Sequence, residues 1–533
     1  MKHSSRGRRG LAAVNIGYDF ELAKPTQTFF VPFPETDMVN DMLKKINGLT
    51  DANLGLPFVR GQMVSLLSVA ISTDNTVIWY DHWEDSYEKD INVGISSNLT
   101  QVWGDGKASN GCRPGIPVCS DAEDYLNAGQ SFILENMMVV PRTSTNWFEA
   151  GLKIDGGDKV MASFPVTMTR GTYSEFPGSL LAGAAEIYDT DNWGTTFESP
   201  MGNDVVTDTQ SFEHARLFMM SGSDGNSVAL PGGASTVLNQ GQSISIDIKQ
   251  AQSVVSSKPM QVYLCAGDIN SNYEMRFFSV RPVSEWSDSY LSPVGDGYGR
   301  SKVILYNPSS VAISVRFNIL NTNGATVTST LTVPSKKHIF SPVVPTSSGA
   351  MVQAVTAGTK FAAMSMTDTE TTVGDGTNAL TLNGQAFEWG ATLPAMDKLT
   401  SQVLVGWGYG CTKNDCQGQT ERSVVWISPV NDADIYIDYK NSGTNYTKLP
   451  MKKWQSAKIR DKSDTDMSGA LIFATQPNSG PNGIPVDIAT AWGQDPAVSI
   501  DIQSISLDLG TTIVPFTNIR VKKNVDKIGR AHV

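Results

Sequence analysis

Residues 66–81, LLSVAISTDNTVIWYD, decide the fold. Apolar residues dominate up to Ile71, a polar run turns the chain, and β-branched and aromatic residues resume at Val77, so the stretch reads as strand, turn, strand. The same order returns as ARLFMMSGSDGNSVAL at 215–230, SKVILYNPSSVAISVRFNIL at 301–320 and RSVVWISPVNDADIYID at 422–438. Each copy closes further on with a small-residue or proline turn leading into another strand. These closures are SFPVTMTRG from Ser163, SSKPMQVYLCAGD from Ser256, TAGTKFAAMSMTD from Thr356 and GIPVDIATAWGQD from Gly483. Repetition on the scale of one small β module speaks for a scaffold or binding surface before it speaks for an enzyme.

At 533 residues the chain is too long for a single core, and 47 glycines and 26 prolines punctuate many short strands. The expected fold is all-β: several antiparallel β-sandwich modules in tandem at 25–175, 176–290, 291–400 and 401–527, each strand with one dry and one wet face. One short N-terminal helix is expected, because Met38, Val39, Met42, Leu43 and Ile46 recur at helical spacing ahead of Gly48. Residues 1–24 read as a basic tail or processed arm. Residues 528–533, beyond the point where strand alternation lapses, read as a non-native or disordered tail. A formal charge of −12 argues against nucleic acid, which needs a basic face. No stretch approaches the roughly twenty apolar residues of a membrane helix.

The cysteines suggest chemistry through their spacing. Cys112 and Cys119, and Cys411 and Cys416, each enclose a short loop in turn-rich sequence without a nearby histidine, which favours two disulfides over zinc and, with them, an oxidising compartment. Cys265 follows Val262, Tyr263 and Leu264 and reads as a buried thiol outside both pairs. Asn98 and Asn445 stand in glycosylation triplets.

The runs VIWYDHWEDSYE from Val77 and QVWGDGKASNGC from Gln101 resemble the DHWEDGYE and WGDG signatures of a family of large secreted or cell-surface β-sandwich proteins of bacteria and algal protists. AAEIYDTDNWGTTFESPMG from Ala184, DMSGALIFAT and AWGQDP match in the same order. The module at 215–268 is also similar to repeats of the IgGFc-binding N-terminal type. The resemblance implies surface display, adhesion or matrix assembly. Ser86 stands where the family carries glycine.

Asp81, Glu84, Asp85, Glu88 and Asp90 crowd one loop, and Asp81, Glu84, Asp85 and Glu88 are the candidate ligands for Ca2+, a hard cation that takes carboxylate oxygens. The alternative is that Trp79, Tyr80 and Trp83 pack inward while the acids cap turns. The acidic turns at 461–466 and 189–191 admit the same two readings, whereas Lys440, standing where a calcium loop would carry an acid, speaks against a cation site at 438–446. No nucleophile elbow, HExxH, P-loop or dinucleotide fingerprint occurs, and only His82, His214 and His338 lie away from the termini. Trp147, Trp193, Trp286, Trp389, Trp407 and Trp454 read either as core anchors or as sugar platforms. The sequence points to a non-enzymatic extracellular or cell-surface structural or adhesion protein, with calcium dependence expected if its acidic loop takes the cation. Its partners would be an extracellular matrix or surface glycan or protein, or further copies of itself. A carbohydrate-binding or carbohydrate-active module, and a self-assembling shell or lattice protein of an algal organelle, are the competing classes.

Overall fold

The computed structural model describes residues 25–33, 61–83, 86–88, 100–140, 153–174, 183–204, 214–267, 276–295, 301–367, 389–408, 423–495 and 510–514. These hold thirty-one strands, paired antiparallel throughout. The helix expected at 38–46 lies outside the described residues, as do both tails.

The first sandwich comprises β1 (Gln27–Phe30), β2 (Gly61–Ile71), β3 (Ile78–Asp81), β4 (Gln101–Trp103), β5 (Ser131–Val140), β6 (Lys159–Ala162), β7 (Val166–Ser174) and β8 (Gly183–Ile187). Its sheets run β1-β6-β3-β4 and β5-β2-β7-β8. Phe29, Ile78, Tyr80 and Val160 of one sheet meet Leu67, Val69, Leu134 and Met168 of the other in a shared core. The stretch at 66–81 is thus the passage from β2 to β3, crossing from sheet to sheet, and the SFPV closure is the passage back from β6 to β7.

The second sandwich holds β9 (Gly194–Glu198), β10 (His214–Ser221), β11 (Asn226–Ala229), β12 (Ser235–Leu238), β13 (Ser243–Asp247), β14 (Ser253–Gly267) and β15 (Arg276–Ser279). It repeats the pattern with one economy: β14 belongs to both sheets. Its first part pairs with β9 and β11, its second with β10 and β15, and the register shifts between Val255 and Met260. Pro259 sits in that shift, where a residue without an N–H interrupts the ladder at least cost.

The third sandwich has β16 (Ser289–Ser292), β17 (Lys302–Tyr306), β18 (Ile313–Leu320), β19 (Thr326–Val333), β20 (His338–Phe340), β21 (Ala350–Ala354), β22 (Ala362–Met366) and β23 (Gly390–Thr392). The fourth has β24 (Gln402–Leu404), β25 (Ser423–Pro429), β26 (Ala433–Asp438), β27 (Thr447–Met451), β28 (Ala457–Ile459), β29 (Leu471–Thr475), β30 (Ile488–Gln494) and β31 (Gly510–Thr512). Their sheet orders, β16-β21-β18-β19 with β20-β17-β22-β23 and β24-β29-β26-β27 with β28-β25-β30-β31, reproduce that of the first. Two expected boundaries move. β8 pairs with β7, so the first sandwich extends past residue 175 to Ile187, and β16 begins the third at Ser289, before 291.

The four sandwiches close into a ring. The last strand of each meets the last strand of the next: β8 packs on β15, β15 on β23, β23 on β31, and β31 on β8. At every joint an aromatic ring occupies space that only a glycine leaves open. A Cβ on Gly183 would stand 2.2 Å from the Phe277 ring, on Gly390 2.7 Å from Phe278, on Gly510 2.1 Å from Trp389, and on Gly171 2.7 Å from Trp407. This placement explains why one expected pattern fails. In the outer sheet β18 alternates buried and exposed positions, whereas β22 and β8 in the inner sheets are buried at every residue. An inner sheet has a core on one face and a neighbouring sandwich on the other, so its strands are dry on both.

Candidate functional site

In the acidic loop β3 carries Asp81 into the interior, where it is fully buried and accepts bonds from the Glu88 N–H at 3.0 Å and the Thr100 hydroxyl at 3.2 Å. Lys159, on the neighbouring β6, places its ammonium 3.1 Å from Asp81 Oδ2. A buried carboxylate is tolerated when paired and hydrogen-bonded, and here Lys159 supplies the pairing charge. Tyr80 and His82 turn instead to Asp158, at 2.6 and 3.3 Å. Glu88 is also buried, with Thr100 3.5 Å from its Oε1. Glu84 and Asp85 lie outside the described residues, so the four-carboxylate set expected for Ca2+ is described only at Asp81 and Glu88. Trp79 is buried and Trp83 half-exposed at 48%. Ser86 adopts φ 77, the left-handed conformation that glycine takes freely.

The WGDG signature is a brace for the disulfide loop. Trp103 is in the core, and a Cβ on Gly104, at φ 86, would stand 2.1 Å from the Thr76 carbonyl. Buried Asp124 accepts from the Gly104 N–H at 3.0 Å and the Arg113 N–H at 2.9 Å, and burial raises its carboxyl to about 6. Between those anchors Cys112 and Cys119 form a disulfide with Cα atoms 5.8 Å apart. Cys411, Cys416 and Asn98 lie outside the described residues. Asn445 is exposed in the turn before β27, and Cys265 is a buried thiol whose ionisation is pushed up by desolvation. Lys440 joins the turn at 438–446 to the acidic turn at 461–466 by pairing with Asp464, while Asp461 and Asp466 cap local backbone.

A cleft forms where the ring's joints end. The turns that leave β8, β15 and β23 converge there, each through a short 3-10 segment: Thr190–Asn192, Val283–Glu285 and Met396–Lys398. Two of them share a device five residues wide. The Trp193 indole donates to the Tyr188 carbonyl at 3.0 Å, and the Trp286 indole donates to the Arg281 carbonyl at 3.1 Å. The three turns, with Val514 beyond β31, enclose a cavity of about 340 Å3. The Arg281 guanidinium lies over the Tyr188 ring, 3.8 Å from its centroid, and pairs with Glu285. Ala362, Ala363, Leu393 and Pro394 supply a low apolar floor, and Asp397 and Lys398 stand exposed at the rim. The buried hydroxyl of Thr392, on the same lining, has no hydrogen-bond partner among the described residues. Such a cavity, largely apolar with a few convergent polar groups, has the size and composition of a small-molecule site. In the sequence Trp193 and Trp286 stand out only as single residues. The signal that reading them singly misses is the repeated spacing that puts both turns in one place.

Most other candidate aromatics are structural. Trp193, Trp286, Trp389, Trp407 and Trp492 are buried, and Trp454 is half-buried with the Lys453 ammonium over its ring. No helix among the described residues is long and apolar enough to cross a membrane. Among the described residues no cluster of three or more His, Cys, Asp or Glu has the arrangement of a metal site.

No characterised protein matches the chain significantly. Among solved structures it is weakly similar to a Bacteroides ovatus mixed-linkage glucan utilisation protein, SGBP-B, in complex with a heptasaccharide, at 9% identity, 64% of this chain, 85% of that one and TM-score 0.12. It is likewise similar to a tetra-tandem repeat from the extending region of a large adhesion protein, at 9% identity, 83% and 91% coverage and TM-score 0.10. The Lactobacillus farciminis oxalate decarboxylase formate complex matches at 8% identity, 44% and 77% coverage and TM-score 0.14. At these scores none bears on fold or function. Residues 120–374, from the disulfide loop through the second sandwich and most of the third, match the family described as IgGFc binding protein, and over that part, just under half its length, the chain is similar to that family.

Proposed function

We propose that the protein is a non-enzymatic extracellular binding protein of structural or adhesive role, in which a closed ring of four sandwiches holds a recognition surface rigid. The closed ring is the observation that carries this. Chemistry-bearing residues that stand out in the sequence, Asp81, His82 and Trp389 among them, are consumed in building the scaffold, so what remains for function is surface and cleft. Similarity to a family named for binding the Fc region of immunoglobulin G supports a protein partner outside the cell. The Cys112–Cys119 disulfide fits the same compartment. Asn445, exposed in its turn, is the proposed attachment point for a glycan. Calcium dependence rests on Glu84 and Asp85, because Lys159 already stands at Asp81. Equal melting temperatures in calcium and in chelator would remove that part alone.

The test is binding of the purified full chain to intact cells, to isolated extracellular matrix and to immobilised Fc, with fluorescence localisation of the chain on unpermeabilised cells. Saturable binding and surface labelling are the expected result. Labelling confined to permeabilised cells, with no saturable binding to any of the three, would refute the function.

A further inference from the structure

We infer that the open edge of β19 docks an extended, acidic segment of a partner protein, which adds to the outer sheet of the third sandwich as a fifth strand. This names a surface for the extracellular binding function proposed above and rests on it. β4, β12, β19 and β27 hold the same edge place in the four sandwiches. An open edge offers unpaired N–H and C=O groups to any passing chain, and proteins blunt it with brevity, lysine, proline or a bulge. β4 has three residues and β12 four, and β27 carries Lys448 and Pro450. β19, TVTSTLTV, runs for eight residues with no charge and no proline, and its register with β18 holds over eight consecutive pairs without a bulge.

The backbone fixes the class of ligand. Bonds across an antiparallel pair form at every second residue. The Asn321 N–H donates to the Ala325 carbonyl at 2.9 Å in the turn, so, counting on from it, Val327, Ser329, Leu331 and Val333 face β18. On the far side of β18 the Val355 N–H donates to the Ser314 carbonyl at 2.8 Å, and Ser314 stands opposite Thr332, which sets the same phase. Thr326, Thr328, Thr330 and Thr332 therefore turn their N–H and C=O groups outward, where no described strand meets them. Another extended backbone matches such a row group for group.

Side chains narrow the class. Alternation puts the neighbours of the four threonines on the wet face and those of Val327 and Leu331 on the core face. Leu331 packs on the core, and Val327, opposite Ile319 on the same face, is 45% exposed, so an apolar partner residue beside it gains burial. On the wet face charge decides. Residues 301–367 hold Lys302, Arg316, Lys336, Lys337 and Lys360 and no aspartate or glutamate, in a chain of net charge −12. Lys336 pairs with Glu198 and Lys360 donates to the Ser284 carbonyl, but Arg316 on β18 and Lys337 beyond β19 are exposed with no carboxylate partner among the described residues. Arg316 stands opposite Thr330, and an added strand lies roughly 10 Å from β18, within the joint reach of a guanidinium and a glutamate. A second copy pairing edge to edge would set Arg316 toward its own equivalent, so charge favours a different, acidic partner.

The experiment uses the full chain and synthetic eight-residue probes read by fluorescence polarisation: alternating valine and glutamate, alternating valine and lysine, and the glutamate peptide N-methylated at every amide. The glutamate peptide should bind saturably, and the lysine peptide about fivefold more weakly. The methylated peptide, which keeps the side chains and loses the backbone donors, should not bind. Thr330→Pro removes one outward N–H at an edge, where proline is tolerated, and should weaken binding at least about tenfold with the melting temperature held. Arg316→Glu, at an exposed position, should invert the charge preference. No binding by any peptide, undiminished binding of the methylated one, or a charge preference that Arg316→Glu leaves unchanged would each overturn the inference. Dimerisation of the wild type in sedimentation, abolished by Thr330→Pro and without peptide binding, would overturn it in favour of self-pairing. Cell and matrix binding on the same preparations separates the two claims: if the chain binds cells while no peptide binds the chain, the extracellular function stands without this edge, and if neither binding occurs both fall.

Discussion

The joint between the first and second sandwiches buries an acid, and the joint between the second and third half-buries a base. Glu186 on β8 has one bond, from the Thr169 hydroxyl at 3.0 Å, and its Oε2 has no partner among the described residues. Desolvation raises its carboxyl to about 8, so it is held protonated at neutral pH. His338 on β20 lies against Gln250 of the second sandwich. Desolvation first, then the Lys337 charge, lowers it to about 4, with Asp204 opposing. Desolvation thus favours the neutral form at both places, one by keeping a proton on and the other by keeping a proton off. A desolvated group without a pairing charge strong enough to offset the loss of water is held neutral.

The two groups give opposite pH slopes, and that contrast can be broken. Glu186 has a folded pKa above its unfolded one, so between about pH 4.5 and 8 the folded state holds a proton that the unfolded state has lost, and stability falls as pH rises. Glu186→Gln should remove that fall. The variant should be more stable than wild type by about 4 kcal/mol at pH 8 and nearly equal to it at pH 4, as read from urea unfolding at each pH. A parallel pair of curves would show that Glu186 is ionised and paired.

His338 has a folded pKa below its unfolded one. Between about pH 6.5 and 4 the unfolded state binds a proton that the folded state refuses, so this contribution falls as pH falls. His338→Gln should flatten the acid limb by about 3 kcal/mol across that window while leaving pH 8 unchanged. A double variant with Glu186→Gln should show the two changes adding, because the sites share no contact described here.

The packing of the same two joints is the next comparison. A Cβ on Gly183 would come within 2.2, 2.5 and 2.7 Å of three atoms of the Phe277 ring, and one on Gly390 no closer than 2.7 Å to Phe278. Gly183→Ala is expected to cost about 3 kcal/mol and Gly390→Ala about half that, measured as urea midpoints at constant slope. Equal losses would mean that the joints yield alike. The smallest effect lies beside the first joint. Ser86→Gly relieves φ 77 next to Tyr87, whose ring packs on Phe30, and should raise stability by up to about 1 kcal/mol.

Much of the architecture was legible because it is local. The stretches at 66–81, 215–230, 301–320 and 422–438 are the same strand-to-strand crossing in each sandwich, and the alternation that marks them is a property of neighbouring residues. The closures were legible for the same reason, since Pro165, Pro259 and Pro485 stand where a ladder must break. Dryness on both faces of the inner sheets could not be read from alternation, because the covering face belongs to another sandwich. The partners of the acidic loop were illegible for a similar cause: Asp158 and Lys159 lie far along the chain on β6 and the turn before it, and density of carboxylates in sequence says nothing of a distant ammonium. The cleft escaped because its residues are ordinary one by one and meet through ring closure.

Three of the four joints are bridged by a turn of the chain itself, and the fourth is not. Trp407 meets Gly171, and the Ser68 hydroxyl donates to the Gly406 carbonyl at 2.8 Å, across 338 residues of sequence. During synthesis the first three sandwiches can dock in order as each emerges, while this last seam must wait for the fourth. Until it forms, Val64, Leu66 and Ala184 lie bare on one end of the assembly and Trp407 on the other. Those two ends complement each other whether or not they belong to the same molecule. Closure within one chain competes with exchange between chains, and the outcome is set by the effective concentration of the molecule's own end against the bulk concentration of others. Refolding at high dilution should therefore yield closed single rings, and refolding at high concentration should yield swapped, head-to-tail species held by this same seam.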